Sequence, residues 1–176
     1  MAPSISAPSH VSLRLADCTG SGNRIRPALF SPLIRHREAI RQRRQGKVST
    51  DEFVRVMVTN ALGSMHIVET LQDLVRPTGT IAVMSSSLGS VADNETGGWE
   101  VYRGSKAALN TLMRSFAARH KTDYRSFLIV DPGWVRTDVG GPGAALDIET
   151  NVSSVVDTLA AQSDHPGLGY LNYQGK

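Results

Sequence analysis

Residues 101–119 have the sequence V-Y-R-G-S-K-A-A-L-N-T-L-M-R-S-F-A-A-R, and their apolar residues recur at helical spacing. On the predicted helix, Tyr102 and Lys106 are four residues apart, so their side chains lie on one face, about one turn from each other. A phenol has a reference pKa of roughly 10, and an ammonium one turn away favours the phenolate and lowers that pKa. The pair is therefore a candidate general acid and base for carbonyl–alcohol interconversion. An isolated pair of this kind is also compatible with a packed Tyr102 and a solvated Lys106. The surrounding sequence is therefore needed to distinguish a catalytic pair from a structural one.

Two short apolar runs flank this helix. Residues 80–84 follow a turn at 77–79 and lead into Ser86, and residues 127–130 lead into Pro132 and Gly133. Continuous apolar runs of this length are typical of strands that are buried on both faces of a parallel sheet. Ligands of open α/β sheets bind at the carboxyl ends of the strands, so both loops are expected at one functional edge.

Together these motifs resemble the short-chain dehydrogenase/reductase family, in the order in which that family has them. The residues that match are Asn60 in T-N-A-L-G, Ser86 in S-S-x-x-G, Tyr102 and Lys106 in Y-x-x-x-K, and the P-G-W-V-x-T stretch. The resemblance covers about residues 48–176. Within the family, the chain is most similar to the C-factor-like carbonyl-reductase subgroup. Two sequence stretches carry this similarity, G-G-W-x-x-Y-R-x-S-K-A-A-L-N and G-G-P-G-A. The resemblance implies an α/β fold with a Rossmann-like, doubly wound parallel sheet.

The resemblance also implies roles for particular residues in an NAD(P)-dependent oxidoreductase. Tyr102 would exchange the substrate proton, Lys106 would lower its pKa, Ser86 would bind the carbonyl oxygen, and Asn60 would hold a water of the proton relay. NADP or NAD would be held by six residues, with no metal needed: Tyr102, Lys106, Pro132, Gly133, Val135 and Thr137. The substrate would be a small carbonyl compound or alcohol.

The family's dinucleotide-binding half is expected to be missing or degenerate. Only 48 residues precede Ser49, too few for the half that carries the pyrophosphate loop. Residues 19–26 have the spacing of that loop in part, but Arg24 and Arg26 stand where its last two glycines belong. The sequence therefore predicts a truncated domain whose cofactor is weakly bound or lost. The alternatives are a non-catalytic remnant, or a cofactor-free lyase or isomerase that keeps the acid–base set.

Residues 1–47 form a basic segment, distinct from the catalytic half at 48–176. They hold 9 of the 19 Lys and Arg residues, and only Asp17 and Glu38 among the acids. A solvated helix or tail, an organellar transit peptide and a phosphate-binding surface are all compatible with this composition. Nucleic acid ranks last, because no aromatic residue is interleaved with the arginines.

Two further properties limit location and assembly. The single cysteine, Cys18, cannot form an internal disulfide, and no apolar run approaches the roughly 20 residues of a membrane helix, so a reducing, cytoplasmic location is expected. Ser49 and Glu52 form a capping box that predicts a helix over about 50–76. In the family, this helix and the one at 101–119 pair across a two-fold axis, which implies a homodimer. A helix over 149–161 and a short final strand at 170–173 complete the prediction. The strand at 80–86 would need a cover along its free edge, from residues 1–47 or from a second subunit.

Overall fold

Parallel strands build the single sheet of this computed structural model, which describes residues 28–30 and 48–176. The order across the sheet is β1-β2-β3-β4, and every neighbouring pair is parallel. The strands are β1 (Ala28–Phe30), β2 (Thr80–Met84), β3 (Ser126–Asp131) and β4 (Gly167–Asn172). All six residues of β3 are buried, as expected for a central strand of a sheet covered on both faces.

A long helical segment precedes β2. It begins after Ser49, whose hydroxyl accepts the Glu52 backbone N–H at 3.2 Å, so the predicted cap is confirmed. The segment is not one uniform helix. It consists of α1 (Thr50–Met57), a π turn (Val58–Leu62), α2 (Gly63–Leu71) and a short 3₁₀ turn (Gln72–Leu74). It thus ends a few residues before the predicted boundary at 76.

The other two helices match the sequence pattern closely. They are α3 (Glu100–Arg119), which follows β2, and α4 (Ile148–Ala161), which follows β3. Asp147 caps α4 by accepting the Thr150 backbone N–H at 2.8 Å.

Alternating strand residues divide the core between the two faces of the sheet. One face carries Ile81, Val83, Phe127 and Ile129, which pack against residues of α2 and α3. The other face carries Ala82, Leu128 and Val130, which pack against Val155 and Leu159 of α4. Successive strand side chains point to opposite faces, so helices on both sides bury every residue of β2 and β3 except part of Met84. This arrangement confirms the predicted doubly wound α/β class.

The free edge of β2 is occupied by a segment from the N-terminal 47 residues. Ala28–Phe30 pair with Ile81–Val83 in parallel register, and the sequence analysis did not predict a strand there. A three-residue strand is too short to show a periodic pattern. The predicted strand at 11–18, the loop at 19–26 and the basic run at 36–47 lie outside the described residues.

In the part of the chain that the structure describes, no helix combines the length and the apolar character needed to cross a membrane.

Candidate active site

Tyr102 and Lys106 lie in the first turns of α3, at the carboxyl edge of the sheet. Both side chains are partly buried, and the Lys106 amino group lies 5.7 Å from the centroid of the Tyr102 ring. The same amino group donates a hydrogen bond of 2.9 Å to the backbone carbonyl of Met84, the last residue of β2. The predicted pair therefore shares one helix face, with the lysine anchored to the sheet.

Burial has the largest effect on the pKa of Tyr102. Removal from water raises the pKa of the phenol above its ordinary value, the hydrogen bond with the Ser86 side chain lowers it, and the charge of Asp131 raises it. The net shift of the Tyr102 pKa is therefore upward, whereas the sequence analysis expected a lowered value. Burial also lowers the pKa of Lys106 itself to about 8, an effect that Asp131 opposes.

Ser86 follows β2 and reaches the Tyr102 phenol. Its backbone is extended, and its hydroxyl accepts the Leu88 backbone N–H at 3.2 Å, so it opens the short 3₁₀ turn Ser87–Gly89. This turn packs directly on α3, because a side chain at Gly89 would meet the backbone and side chain of Lys106 at 3.0 Å. The glycine thus permits the close approach that brings Ser86 to Tyr102.

Asn60 lies behind this set and contacts it through Ser105. It is buried in the π turn, and its side-chain amide donates to the Ser105 hydroxyl at 2.9 Å. Ser105 in turn donates to the backbone carbonyl of Tyr102 at 2.8 Å. Asn60 is thereby connected to the backbone that carries Tyr102. π turns occur frequently at functional sites.

The loop after β3 is fixed to its neighbours by its backbone. The Pro132 carbonyl accepts a hydrogen bond of 2.5 Å from the buried side chain of Asn151 in α4. Gly133 has a φ of +73°, and Val135 forms a parallel bridge with Leu146. Thr137 is exposed, and its hydroxyl bonds within its own loop, to the Val135 carbonyl and the Gly140 N–H. Pro132 and Gly133 therefore lie next to the buried end of β3, whereas Thr137 projects away from it.

Trp99 forms a side wall against Tyr102. The rings are in an edge-to-face arrangement, with centroids 6.2 Å apart. Trp99 has a φ of 56°, which is uncommon for a bulky residue and is found at sites where surrounding structure holds a strained conformation. No sequence motif signalled this strain.

Asp131 is the residue that sequence reasoning missed. It is the last residue of β3, only 9% exposed, and its carboxylate accepts the Gly133 backbone N–H at 2.9 Å. The signal was present in the sequence, because a carboxylate at the end of an apolar strand beside a functional loop is unusual. The predicted strand covered residues 127–130, so Asp131 lay just beyond it and received no role.

Among residues 28–30 and 48–176, no three His, Cys, Asp or Glu side chains are grouped so that they could hold a metal ion.

A parallel sheet covered on both faces, with polar side chains converging at its carboxyl edge, defines a Rossmann-like α/β protein. A sequence model of the family described as enoyl-(acyl carrier protein) reductase matches residues 35–159. C-signal of Myxococcus xanthus is 31% identical over 132 residues, which is 74% of this chain and 80% of that protein. The chain belongs to the short-chain dehydrogenase/reductase family of oxidoreductases.

Solved structures agree with this assignment. A Burkholderia multivorans protein described as a short-chain dehydrogenase/reductase, with bound NADP, is 54% identical with a TM-score of 0.75. The match covers 77% of this chain and 58% of that one. The carbonyl reductase Sniffer of D. melanogaster is 28% identical with a TM-score of 0.67, over 76% of this chain and 59% of its own. The chain thus spans less than two thirds of the length of these two structures.

Proposed function

We propose that the chain interconverts a small carbonyl compound and its alcohol with NADP as the cofactor. The observation that carries the proposal is the convergence of Ser86, Tyr102 and Lys106 at one edge of the sheet. The family membership and the NADP bound to the Burkholderia multivorans structure support the same reaction type.

The donor chemistry of the site fits the nicotinamide end of a dinucleotide. An ammonium has three N–H donors, and Lys106 uses one of them on the Met84 carbonyl, which leaves two for the hydroxyl groups of a ribose. Pro132 and Gly133, at the neighbouring strand end, are proposed to line the nicotinamide together with Val135 and Thr137. When bound, the cofactor supplies or takes up the hydride.

Tyr102 is proposed to deliver the proton during carbonyl reduction. A phenol has a reference pKa of roughly 10 and burial raises that of Tyr102, so the side chain holds its proton at neutral pH, the form that an acid needs. Ser86, whose side chain bonds to Tyr102, would also donate to the carbonyl oxygen as negative charge develops there. Lys106 would hold the ribose and stabilise the phenolate left after proton transfer. Asn60 would position Tyr102 through Ser105, and a water on Asn60 would complete the proton relay.

The chain is also proposed to be cytoplasmic and to form a homodimer. Cys18 as the single cysteine supports a reducing, cytoplasmic compartment. The exposed apolar residues of α1, its π turn and α3 support a homodimer through these helices.

The direct test is consumption of NADPH with a panel of aromatic and aliphatic ketones and aldehydes. Tyr102→Phe is expected to lower turnover by about 10²–10⁴-fold, because the phenylalanine ring has no proton to donate. Tyr124→Phe is the matched control, since Tyr124 is 75% exposed and outside the site, and it should retain wild-type turnover. Circular dichroism should show that both variants fold. Wild-type chain that reduces none of the carbonyls, or Tyr102→Phe with unchanged turnover, would refute the proposal.

A further inference from the structure

Asp131 lies one residue beyond the strand pair that anchors Lys106. Met84, whose carbonyl accepts the Lys106 hydrogen bond, is opposite Val130 in the parallel register of β2 and β3. The Ser85 backbone N–H bonds to the Val130 carbonyl at 2.7 Å, so this pairing continues to the strand ends. Strand spacing and residue rise then place the Cα atoms of Asp131 and Met84 about 6 Å apart.

The carboxylate is also on the correct face of the sheet. Ile129, two residues earlier in β3, packs in the core cluster that includes residues of α3. Since side chains alternate along a strand, Asp131 lies on the same face, beneath the first turns of α3. It is 9% exposed, so its charge is screened little by solvent.

Four charged or titratable groups on three elements act on one another electrostatically here. Asp131 of β3 acts electrostatically on Tyr102 and Lys106 of α3 and on Tyr170 of β4. The pKa of Tyr170 is raised to about 12 by burial, by Asp131, by Tyr102 and by Asp93 of the loop before α3. Lys106 is the cationic member of this cluster, and Asp131 is the buried anion.

We propose that Asp131 is a positioning residue that keeps the Lys106 side chain in its charged form and Tyr102 in its protonated form. Burial alone favours neutral forms of both groups, which would leave a neutral amine unable to stabilise a phenolate. The nearby carboxylate stabilises the ammonium form of Lys106 and destabilises the phenolate form of Tyr102. Tyr102 therefore rests as the phenol, which is the form that donates a proton in carbonyl reduction. The catalytic consequence rests on the proposed function, whereas the electrostatic effect does not.

The test is an NMR titration of the Lys106 ammonium with ¹³C- and ¹⁵N-labelled lysine, in the full chain without cofactor. The chain has four lysines, and the Lys106 signal is identified by its loss in Lys106→Met. In the wild type it should titrate at about pH 8. In Asp131→Asn it should titrate roughly one pH unit lower, because the amide removes the charge that favours the ammonium. The amide oxygen can still accept the Gly133 N–H, so a purely structural role for Asp131 predicts no change.

Two further variants serve as controls. Asp131→Glu retains the negative charge, so Lys106 in this variant should titrate close to its wild-type pH. Asp93→Asn removes a carboxylate that acts on Tyr170, and the Lys106 titration should be unchanged in it. If Asp131→Asn does not fold, Asp131→Ser carries the same test, since its hydroxyl can accept the Gly133 N–H.

An unshifted Lys106 titration in the folded, uncharged variant overturns the inference, whatever the activity. A shifted titration in a chain that turns over no carbonyl supports the inference and refutes the proposed function. Where turnover is measurable, its pH profile should move to lower pH together with the Lys106 titration.

Discussion

At the residue scale, the acid–base pair shows why side-chain spacing alone did not predict its electrostatics. The interval between Tyr102 and Lys106 correctly placed both on one helix face, and the sequence motifs correctly identified Ser86 as their neighbour. The Tyr102 pKa is raised and not lowered, because burial, which sequence spacing does not report, has the largest effect on it. Asp131 was missed because its effect depends on the register of β2 against β3 and on packing beneath α3.

The hydrogen bonds that connect Asn60 to the Tyr102 backbone through Ser105 lead to a prediction at the residue scale. Its amide and the Ser105 hydroxyl form a buried hydrogen bond of 2.9 Å. Ser105→Ala should lower the free energy of unfolding by about 1–3 kcal/mol, because it leaves the buried Asn60 amide without this partner. Asn60→Ala should cost less, about 0.5–1.5 kcal/mol, because the Ser105 hydroxyl keeps its bond to the Tyr102 carbonyl. The double variant should cost less than the sum of the two, since it removes both partners of one bond.

Urea denaturation of the wild type, both single variants and the double variant measures this coupling. Additive losses would show that the two side chains stabilise the fold independently, contrary to the network described for the π turn.

At the element scale, α3 carries Tyr102 and Lys106 and contacts both the 3₁₀ turn after Ser86 and the π turn that holds Asn60. The sequence predicted α3, β2, β3 and α4 well because each has a continuous periodic or apolar pattern. It did not predict the π turn, which changes the helical repeat for five residues only, or β1, which has only three residues. The predicted final strand at 170–173 instead begins at Gly167, because two glycines weaken its pattern.

Two glycines, one within α3 and one packed against it, should respond in opposite ways to substitution by alanine. Gly104 lies on the exposed side of α3, and a Cβ there would have nothing within 4 Å. Gly104→Ala should therefore raise the free energy of unfolding by about 0.5–1 kcal/mol, because alanine loses less backbone freedom in a helix. Turnover should be retained.

Gly89→Ala should have the opposite effect, since its Cβ would meet the Lys106 backbone at 3.0 Å and push the Ser86 turn away from α3. We expect lower stability and lower turnover, measured by thermal denaturation and the carbonyl-reduction assay. A Gly89→Ala variant as stable and active as Gly104→Ala would contradict the close packing of this turn.

At the scale of the whole molecule, apolar side chains remain exposed on the first helical segment and on α3. Val54, Val58 and Leu62 on the first helical segment and Leu112 on α3 are each 40–49% exposed. Exposed apolar patches of this kind mark interaction sites. Ala61, Leu109 and Phe116, on the same helices, are instead buried in the protein's own core and are not available for an interface.

Dimerisation through this surface is the whole-molecule prediction. We expect a dimer by light scattering and a melting temperature that rises with protein concentration, because association stabilises the folded state by mass action. Val58→Glu and Leu112→Glu should each shift the chain to a monomer, because they place a charge in an apolar contact. Val156→Glu is the matched control, since Val156 is 51% exposed on α4, on the opposite side of the sheet.

A compact monomer with a concentration-independent melting temperature would exclude the dimer. Equal effects of Val156→Glu and Val58→Glu would place the interface elsewhere.

The central claim is that Lys106 and its neighbours hold a nicotinamide dinucleotide at the carboxyl edge of the sheet. The most direct measurement is a calorimetric titration of the chain with NADPH, repeated with Lys106→Ala and with the exposed-site control Lys121→Ala. We predict saturable but weak binding to the wild type, with a dissociation constant above about 1 μM, because Arg24 and Arg26 stand where the family resemblance would place the glycines that permit close contact with a pyrophosphate. Lys106→Ala should weaken this binding further, and Lys121→Ala should leave it unchanged. Absence of binding at millimolar NADPH, or binding unaffected by Lys106→Ala, would contradict the account.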